Sequence, residues 1–424
     1  MNKYTKQLQI GFYENELCKN VLPFWLKRCE DKKNGGYYNC FSNDCTSLVS
    51  TDKYVWSQGR YLWIFSKLAT MDRPFSREEK NEFLRLAKVG RDFIVNNCFL
   101  KDPLRCVFLT DEEGNPKKVD GYDNYDVSTS PDGFVISGLC QYAVAANHRE
   151  SYEIAKELYI SVTEREESFN YCSYPYPTSD KYLQHGYYMG WIVRNDHMTR
   201  AAEIFDPEYA DHTRAKLREG IDKLLDNFVD ENDVLHEVRY RDYSPAPGVF
   251  GDHTNPGHAL EEMWFIQNGA DLLGDPSYTE RCVRVIKRAL VNGWDTTYGG
   301  LYHFAAIDGT EEPKATPEDP LDEPTYHQLM TGWGDKLWWV HSEALYSLMK
   351  FYTRTGDEEL WQWYEKVFEY TFETFPNPDW KVGEWVQIHA RDGAPVQKVT
   401  SLPVKDPLHV TRDLICILEL LYTL

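Results

Sequence analysis

The 424-residue chain lacks the local signatures that usually announce a metal or a nucleotide. It has no C-x-x-C pair, no H-E-x-x-H, no repeated His/carboxylate motif for a two-metal centre, no P-loop and no G-x-G-x-x-G turn. No required metal or nicotinamide is therefore expected. The ten cysteines share no matched spacing, and only Cys40 and Cys45 lie close together, so free buried thiols are expected rather than a disulfide framework or zinc site. Positive charge is scarce. Lys and Arg total 46 against 67 Asp and Glu, a formal net charge of -21, which argues against nucleic acid and anionic membranes as partners. A local arginine could still hold an anionic small substrate. Long apolar runs are missing too. The opening MNKYTKQLQIGFYENELCKN has no continuous apolar core, and no later run could span a bilayer, so a soluble cytoplasmic protein is expected.

What is present is globular: 42% hydrophobic and 27% charged residues. Aromatics are high at 15%, with 13 Trp and 29 Tyr, and many of them are expected in the core. Trp and Tyr also wall sugar sites, because each combines an apolar face with a polar handle.

Apolar residues recur at helical spacing over roughly 5–29, 54–70, 78–97, 131–147, 150–168, 190–204, 208–228, 256–273, 276–292, 334–352, 357–375 and 407–423. Between these twelve segments, 104–120, 232–250, 297–308 and 384–398 read as β-hairpins. The longest loop, around 305–333, is acidic and proline-rich and reads as a surface excursion. No linker interrupts the pattern, so residues 1–424 form one expected domain. Twelve paired helices predict an all-α closed toroid, six inner and six outer, with short β-hairpins in its loops; an open solenoid is the competing architecture.

Counted in order, the even helices carry the unusual residues, mostly near their N-terminal ends. These are Tyr54, Trp56 and Arg60; Ser130-Pro131-Asp132; Asn195 and His197; His258 and Glu261; Lys336, Trp338, Trp339 and Glu343; and His409 and Arg412. If the even helices form the inner ring, these residues meet at one mouth. Helix N-termini there favour an anionic group or intermediate.

The chain is organised around Gly251-Asp252-His253-Thr254-Asn255-Pro256-Gly257-His258-Ala259-Leu260-Glu261. Asn255 is an N-cap and Pro256 suits the first helical position, so His258 and Glu261 share a face in the opening turns. The pair is either a site or a core histidine tied to a carboxylate. Imidazole near neutral pH can take or give a proton, so His258 and His409 could run base and acid roles, with His197 as a third candidate. Arg60, on an aromatic helix face, must pair with Glu261 or Glu343 or hold a ligand oxygen, and stabilising an enediolate is the favoured role. Of Trp338 and Trp339, one is expected to line the cavity.

Together, Tyr54-Val55-Trp56-x-Gln58-Gly59-Arg60, Asn255-Pro256-Gly257-His258-x-Leu260-Glu261, Gly293-Trp294-Asp295 with Gly299-Gly300-Leu301, Lys336-Leu337-Trp338-Trp339-x-His341-Ser342-Glu343-Ala344, Gly383-Glu384-Trp385 and Leu408-His409-Val410-x-Arg412 resemble the N-acylglucosamine 2-epimerase family. The motifs run in family order across roughly residues 5–423. The resemblance implies an (α/α)6 barrel that epimerises sugars at C2 or isomerises aldoses to ketoses. It implies His258 and His409 as the acid/base pair, Arg60 beside the reacting oxygens, and Glu261 as the carboxylate that orients a histidine. Tyr54, Trp56, Asn195, His197, Trp338, Glu343, Trp385 and Arg412 are the expected sugar contacts. The implied substrates are N-acyl-D-glucosamine and N-acyl-D-mannosamine, and a homodimer is possible. Asn195-Asp196-His197 departs toward the cellobiose 2-epimerase and aldose–ketose isomerase branches, which leaves the sugar open. Nucleotide activation, known in the N-acylglucosamine enzymes, has no phosphate-cradling motif here to carry it.

Two readings from other classes remain. A glycoside hydrolase would use Glu261 with Glu384 or Asp132 but leave both histidines idle. A non-catalytic sugar-binding scaffold would need neither.

Overall fold

The computed structural model describes residues 3–175, 177, 179–399 and 402–424. All twelve expected helical segments form. In chain order the helices are α1 (Lys3–Asn15), α2 (Leu22–Arg28), α3 (Val55–Thr70), α4 (Arg77–Asn97), α5 (Ser130–Ala146), α6 (Arg149–Glu167), α7 (Gly186–Phe205), α8 (Pro207–Phe228), α9 (Gly248–Gly251), α10 (Pro256–Leu273), α11 (Thr279–Gly293), α12 (Pro324–Gly332), α13 (Trp338–Thr355), α14 (Glu358–Thr374) and α15 (Leu408–Thr423).

Helices α3, α5, α7, α10, α13 and α15 pack in succession, and α15 returns to α3, which closes the inner ring. Helices α4, α6, α8, α11 and α14 each pack outside the inner helix they follow, and α1 covers α15. The architecture is an (α/α)6 barrel, and the even segments are its inner ring. The inner helices are apolar on most sides, as helices buried within two layers must be. The outer ones bury a single stripe: α4 places Phe83, Leu86, Ala87, Gly90, Phe93 and Ile94 inward behind a Ser76/Glu79 capping box.

Close approach explains one motif glycine. A Cβ on Gly59 would lie 2.6 Å from the Phe134 backbone, and one on Gly138 would lie 2.6 Å from the Gly59 carbonyl oxygen. Helices α3 and α5 therefore cross at a glycine pair that no larger residue fits.

Three details depart from the sequence reading. The first outer helix is not continuous: Glu16–Val21 is π-helical between α1 and α2. There Glu16 is buried and accepts hydrogen bonds from Trp385 Nε1 at 2.7 Å and Asn20 Nδ2 at 2.6 Å. The strands are also not only local hairpins. The 104–120 segment contains the expected one, Leu109–Thr110 with Pro116–Lys117, and antiparallel bridges close tight turns at Arg239 and Pro245 within 232–250 and at His389 and Pro395 within 384–398. Elsewhere each strand just before an inner helix pairs with a strand that follows the next outer helix: 53–54 with 109–110, 182–184 with 238–240, 253–254 with 305–306, and 336–337 with 388–389. These antiparallel pairs lace the rim at the N-terminal ends of the inner helices. Finally, the 305–333 loop is more than a surface excursion. It contains α12, whose Thr325, Gln328 and Leu329 line the central cavity.

All ten cysteines are free, as expected. No described helix is long and apolar enough to cross a membrane.

Candidate active site

The laced rim surrounds a cavity of about 1030 Å³. Of the expected residues, Trp56, Arg60, His258, Glu261, Trp338, His409 and Arg412 line it. Both Trp338 and Trp339 do so, because Trp338 is the first residue after an extended strand and its direction is not set by helical spacing.

His258 sits in the first turn of α10. Asn255 caps that helix by accepting from the His258 N–H at 3.2 Å. The imidazole Nδ1 lies 2.9 Å from Glu237 Oε2. Burial alone would raise the Glu237 carboxyl, but His185 and His258 hold it well below the usual carboxylate range. His409 opens α15, with Nδ1 2.7 Å from Glu343 Oε1. Glu343 is fully buried and also accepts from Trp264 Nε1 at 2.8 Å. Each histidine thus anchors Nδ1 on a carboxylate. Neither Nε2 has a protein partner among the described residues. The two rings flank one indole: Trp339 lies 5.2 Å from His258 and 5.6 Å from His409, between centroids.

The surroundings of the two rings differ. Burial and the nearby guanidiniums of Arg60 and Arg412 outweigh the pull of Glu261 and lower His409 to about 3. His409 therefore rests as a neutral base. Arg412 ties the carboxylates of Glu261 and Glu343 together through one nitrogen. Arg60 pairs with neither of them. Its Nη1 meets Asp406 Oδ2 at 3.1 Å, its plane lies over Phe134 at 4.2 Å, and its Nε has no hydrogen-bond partner.

Glu261 does not orient His258. It lies 3.8 Å from His409 Nδ1 and bonds Arg412 instead. The orienting carboxylates are Glu237 and Glu343. Glu237 was missed because it belongs to another loop, brought beside α10 by the pairing of 182–184 with 238–240. The Leu235-His236-Glu237-Val238 stretch carries no distinguishing local signal.

Five expected sugar contacts lie away from the cavity lining, among them Glu343, buried behind His409. Tyr54 packs against Phe108, ring centroids 5.8 Å apart, in a satellite cluster with Leu109 and Val127. Asn195 accepts from Tyr159 Oη at 2.7 Å and donates to the Trp191 carbonyl at 2.8 Å. His197 accepts from Trp63 Nε1 at 3.0 Å, and burial lowers it to about 4. Trp385 is fully buried on Glu16 and stacks on Phe375. Helical register put Asn195 and His197 on an inner helix but could not say which side met the cavity.

Two groups have ligand spacing for a cation: His185, Glu237 and His258, and Glu261, Glu343 and His409, with donor atoms within 4.8 Å of one another in each. In the second group the Arg412 guanidinium already supplies the positive charge between the carboxylates. The carboxylates proposed for a hydrolase are committed elsewhere. Asp132 is fully buried on Arg165 and the Cys106 N–H, and Glu384 is buried against Lys405.

The family model described as N-acylglucosamine 2-epimerase (GlcNAc 2-epimerase) matches residues 36–405. The chain belongs to the N-acylglucosamine 2-epimerase family. An N-acylglucosamine 2-epimerase of Bos taurus is 27% identical over 422 residues, which cover 95% of this chain and 89% of that protein. A cellobiose 2-epimerase of Ruminococcus albus is 23% identical, over 96% of this chain and 97% of its own. The solved cellobiose 2-epimerase from Bacillus thermoamylovorans B4167 matches with a TM-score of 0.75 at 20% identity, over 97% of this chain and 98% of that one. This likeness bears out the barrel. Membership makes the chain one of a family of isomerases that act on sugars.

Proposed function

We propose that the chain interconverts C2 epimers of a free sugar, with N-acyl-D-glucosamine and N-acyl-D-mannosamine as the leading pair. One observation carries this reading: two histidines, each braced through Nδ1 by a buried carboxylate, flank one indole in one cavity. Epimerisation needs a proton removed from one face of C2 and another returned to the opposite face. In the open-chain sugar the C1 carbonyl makes the C2 proton acidic. Neutral His409 removes it from one epimer through Nε2, and the electron pair moves onto the carbonyl oxygen as an enolate, which is an enediolate where C2 carries a hydroxyl. The free donors of Arg60 stabilise that oxygen. His258 delivers its proton to the other face. From the opposite epimer the roles reverse, with Glu237 supporting the imidazolium that forms on His258.

The reaction on this reading needs only the chain's own groups, without metal, nicotinamide or obligatory nucleotide. The partner is a small sugar in the cytoplasm, in keeping with a net charge of -21 that disfavours nucleic acid and anionic membranes. A homodimer is compatible with this chemistry, since the cavity is lined by one chain. The motif agreement favours the N-acyl sugars over cellobiose, and His197 no longer weighs against them once it is seen on Trp63.

Proton NMR in heavy water over N-acetylmannosamine, N-acetylglucosamine, mannose, glucose and cellobiose tests the proposal. Deuterium should enter C2 as the epimer appears, fastest for an N-acyl sugar. No C2 exchange in any of them would overturn it. A ketose product would move the chain to the aldose–ketose isomerases.

A further inference from the structure

Behind His258 lies a charged group that the mechanism above leaves unused. His185 precedes α7, is 2% exposed, and its ring centroid lies 5.2 Å from that of His258. Its Nε2 is 3.3 Å from Glu237 Oε2, the same oxygen that His258 Nδ1 engages. Its Nδ1 is 3.6 Å from Glu262 Oε2. Neither that nitrogen nor either Glu262 oxygen has a hydrogen-bond partner among the described residues, so they are one another's polar neighbours. The backbone fixes the pair as well: the His185 N–H donates to the Glu237 carbonyl at 3.0 Å.

A neutral imidazole donates from one nitrogen and presents a lone pair from the other. Between two carboxylates that lone pair faces negative charge, whereas an imidazolium turns a positive N–H toward each oxygen, 3.3 and 3.6 Å away. Burial opposes the charged form, but Glu237 and Glu262 outweigh it and raise His185 to about 10. The other ionisable groups nearby do not replace this cation. His253 and His303 are lowered by burial, His303 to about 3, and are neutral. Burial raises the Glu262 carboxyl.

Resting on the two-histidine reading, we infer that His185 is a permanently charged positioning residue that shares Glu237 with His258 and so limits how firmly His258 holds the C2 proton. When His258 takes that proton, two imidazolium rings stand 5.2 Å apart around one carboxylate oxygen. Like charges at that distance repel. The cation therefore prevents Glu237 from trapping the proton on His258 and keeps it available for return to the sugar.

Histidine-ring 15N NMR and pH–rate profiles of wild type and His185→Gln test this. In wild type at pH 8, one ring signal that is absent from His185→Gln should show both nitrogens protonated. In His185→Gln, the His258 titration midpoint should rise by about one pH unit, a roughly tenfold tighter hold on the proton. The acid limb of kcat/KM, for the epimer that His258 deprotonates, should rise with it, while plateau KM changes less than about twofold. A merely structural role would lower activity without moving that limb. A folded His185→Gln with an unmoved His258 midpoint would overturn the inference. If His185→Gln does not fold, the wild-type spectrum decides: absence of any doubly protonated ring at pH 8 overturns it. The ring spectra are read without turnover, so this failure is distinct from absence of C2 exchange, which would overturn the two-histidine reading itself.

Discussion

Glu237 Oε2 lies 2.9 Å from His258 Nδ1, although the two stand 21 positions apart in sequence with two strands between them. This contact fixes the imidazole tautomer with its N–H on Nδ1 and frees Nε2 for the sugar. Glu237→Gln keeps the size but can present an amide N–H to Nδ1 and invert the tautomer. Turnover should fall on the order of 10²–10⁴-fold, with KM changed much less. Steady-state kinetics on protein with an unchanged circular dichroism spectrum checks this, and near-normal kcat would remove Glu237 from the mechanism.

The two tryptophans Trp339 and Trp385 should separate cleanly. Trp339 lies between both imidazoles, so Trp339→Ala should raise KM and lower kcat with a modest loss of stability. Trp385→Phe leaves Glu16 buried without its 2.7 Å donor, at a cost of about 1–3 kcal/mol. Its Tm should drop while kcat/KM at a lower temperature stays near wild type. Equal loss of activity in the two variants would contradict their assigned places.

His197→Asn should behave like Trp385→Phe rather than like a specificity mutant. It removes the acceptor of Trp63 Nε1 at 3.0 Å and touches no cavity-lining group of the acid–base pair. Thermal unfolding should shift downward, and the ratio of kcat/KM between N-acetylmannosamine and mannose should hold. A changed ratio at unchanged stability would return His197 to the sugar site.

Acid should destabilise the fold through buried neutral histidines. His341 donates from Nδ1 to the Leu337 carbonyl at 2.8 Å and accepts the Leu301 N–H on Nε2 at 2.9 Å, a pattern only the neutral ring can make. Burial lowers it to about 3. The unfolded chain therefore binds the proton first, so this contribution is complete above about pH 6.5 and is lost as pH falls from there toward 3. The slope is at most about 1.4 kcal/mol per pH unit for each such histidine. Urea unfolding at pH 7, 6 and 5 should show the decline. His341→Gln, which can both donate and accept, should flatten it, and an unchanged slope would contradict this account.

Much of the fold was legible because helical periodicity and caps are local. Asn255-Pro256 starts α10 as its capping pattern predicts, and the segment expected at 407–423 forms as α15. The motif residues on the even helices followed once those helices became the inner ring. What was not legible depended on long-range pairing. Glu237 reaches His258 only because 182–184 pairs with 238–240, and the same pairing sets His185 behind them. Arg60 meets Asp406, and Arg412 takes Glu261 and Glu343, because ring closure brings α15 between α3 and α13. Trp385 was misread since a buried indole and a sugar-stacking indole look alike in sequence. Its donor to Glu16 is what distinguishes it.

Stereospecific exchange in His409→Asn and His258→Asn tests the two-histidine account most directly. Each variant is incubated in heavy water with each pure epimer, and C2 deuterium and epimer formation are read together by NMR. Epimerisation should fall on the order of 10²–10⁴-fold in both. Residual C2 exchange should survive for only one epimer in His409→Asn and only for the other in His258→Asn, with configuration retained. Near-normal epimerisation by folded His409→Asn would contradict the account.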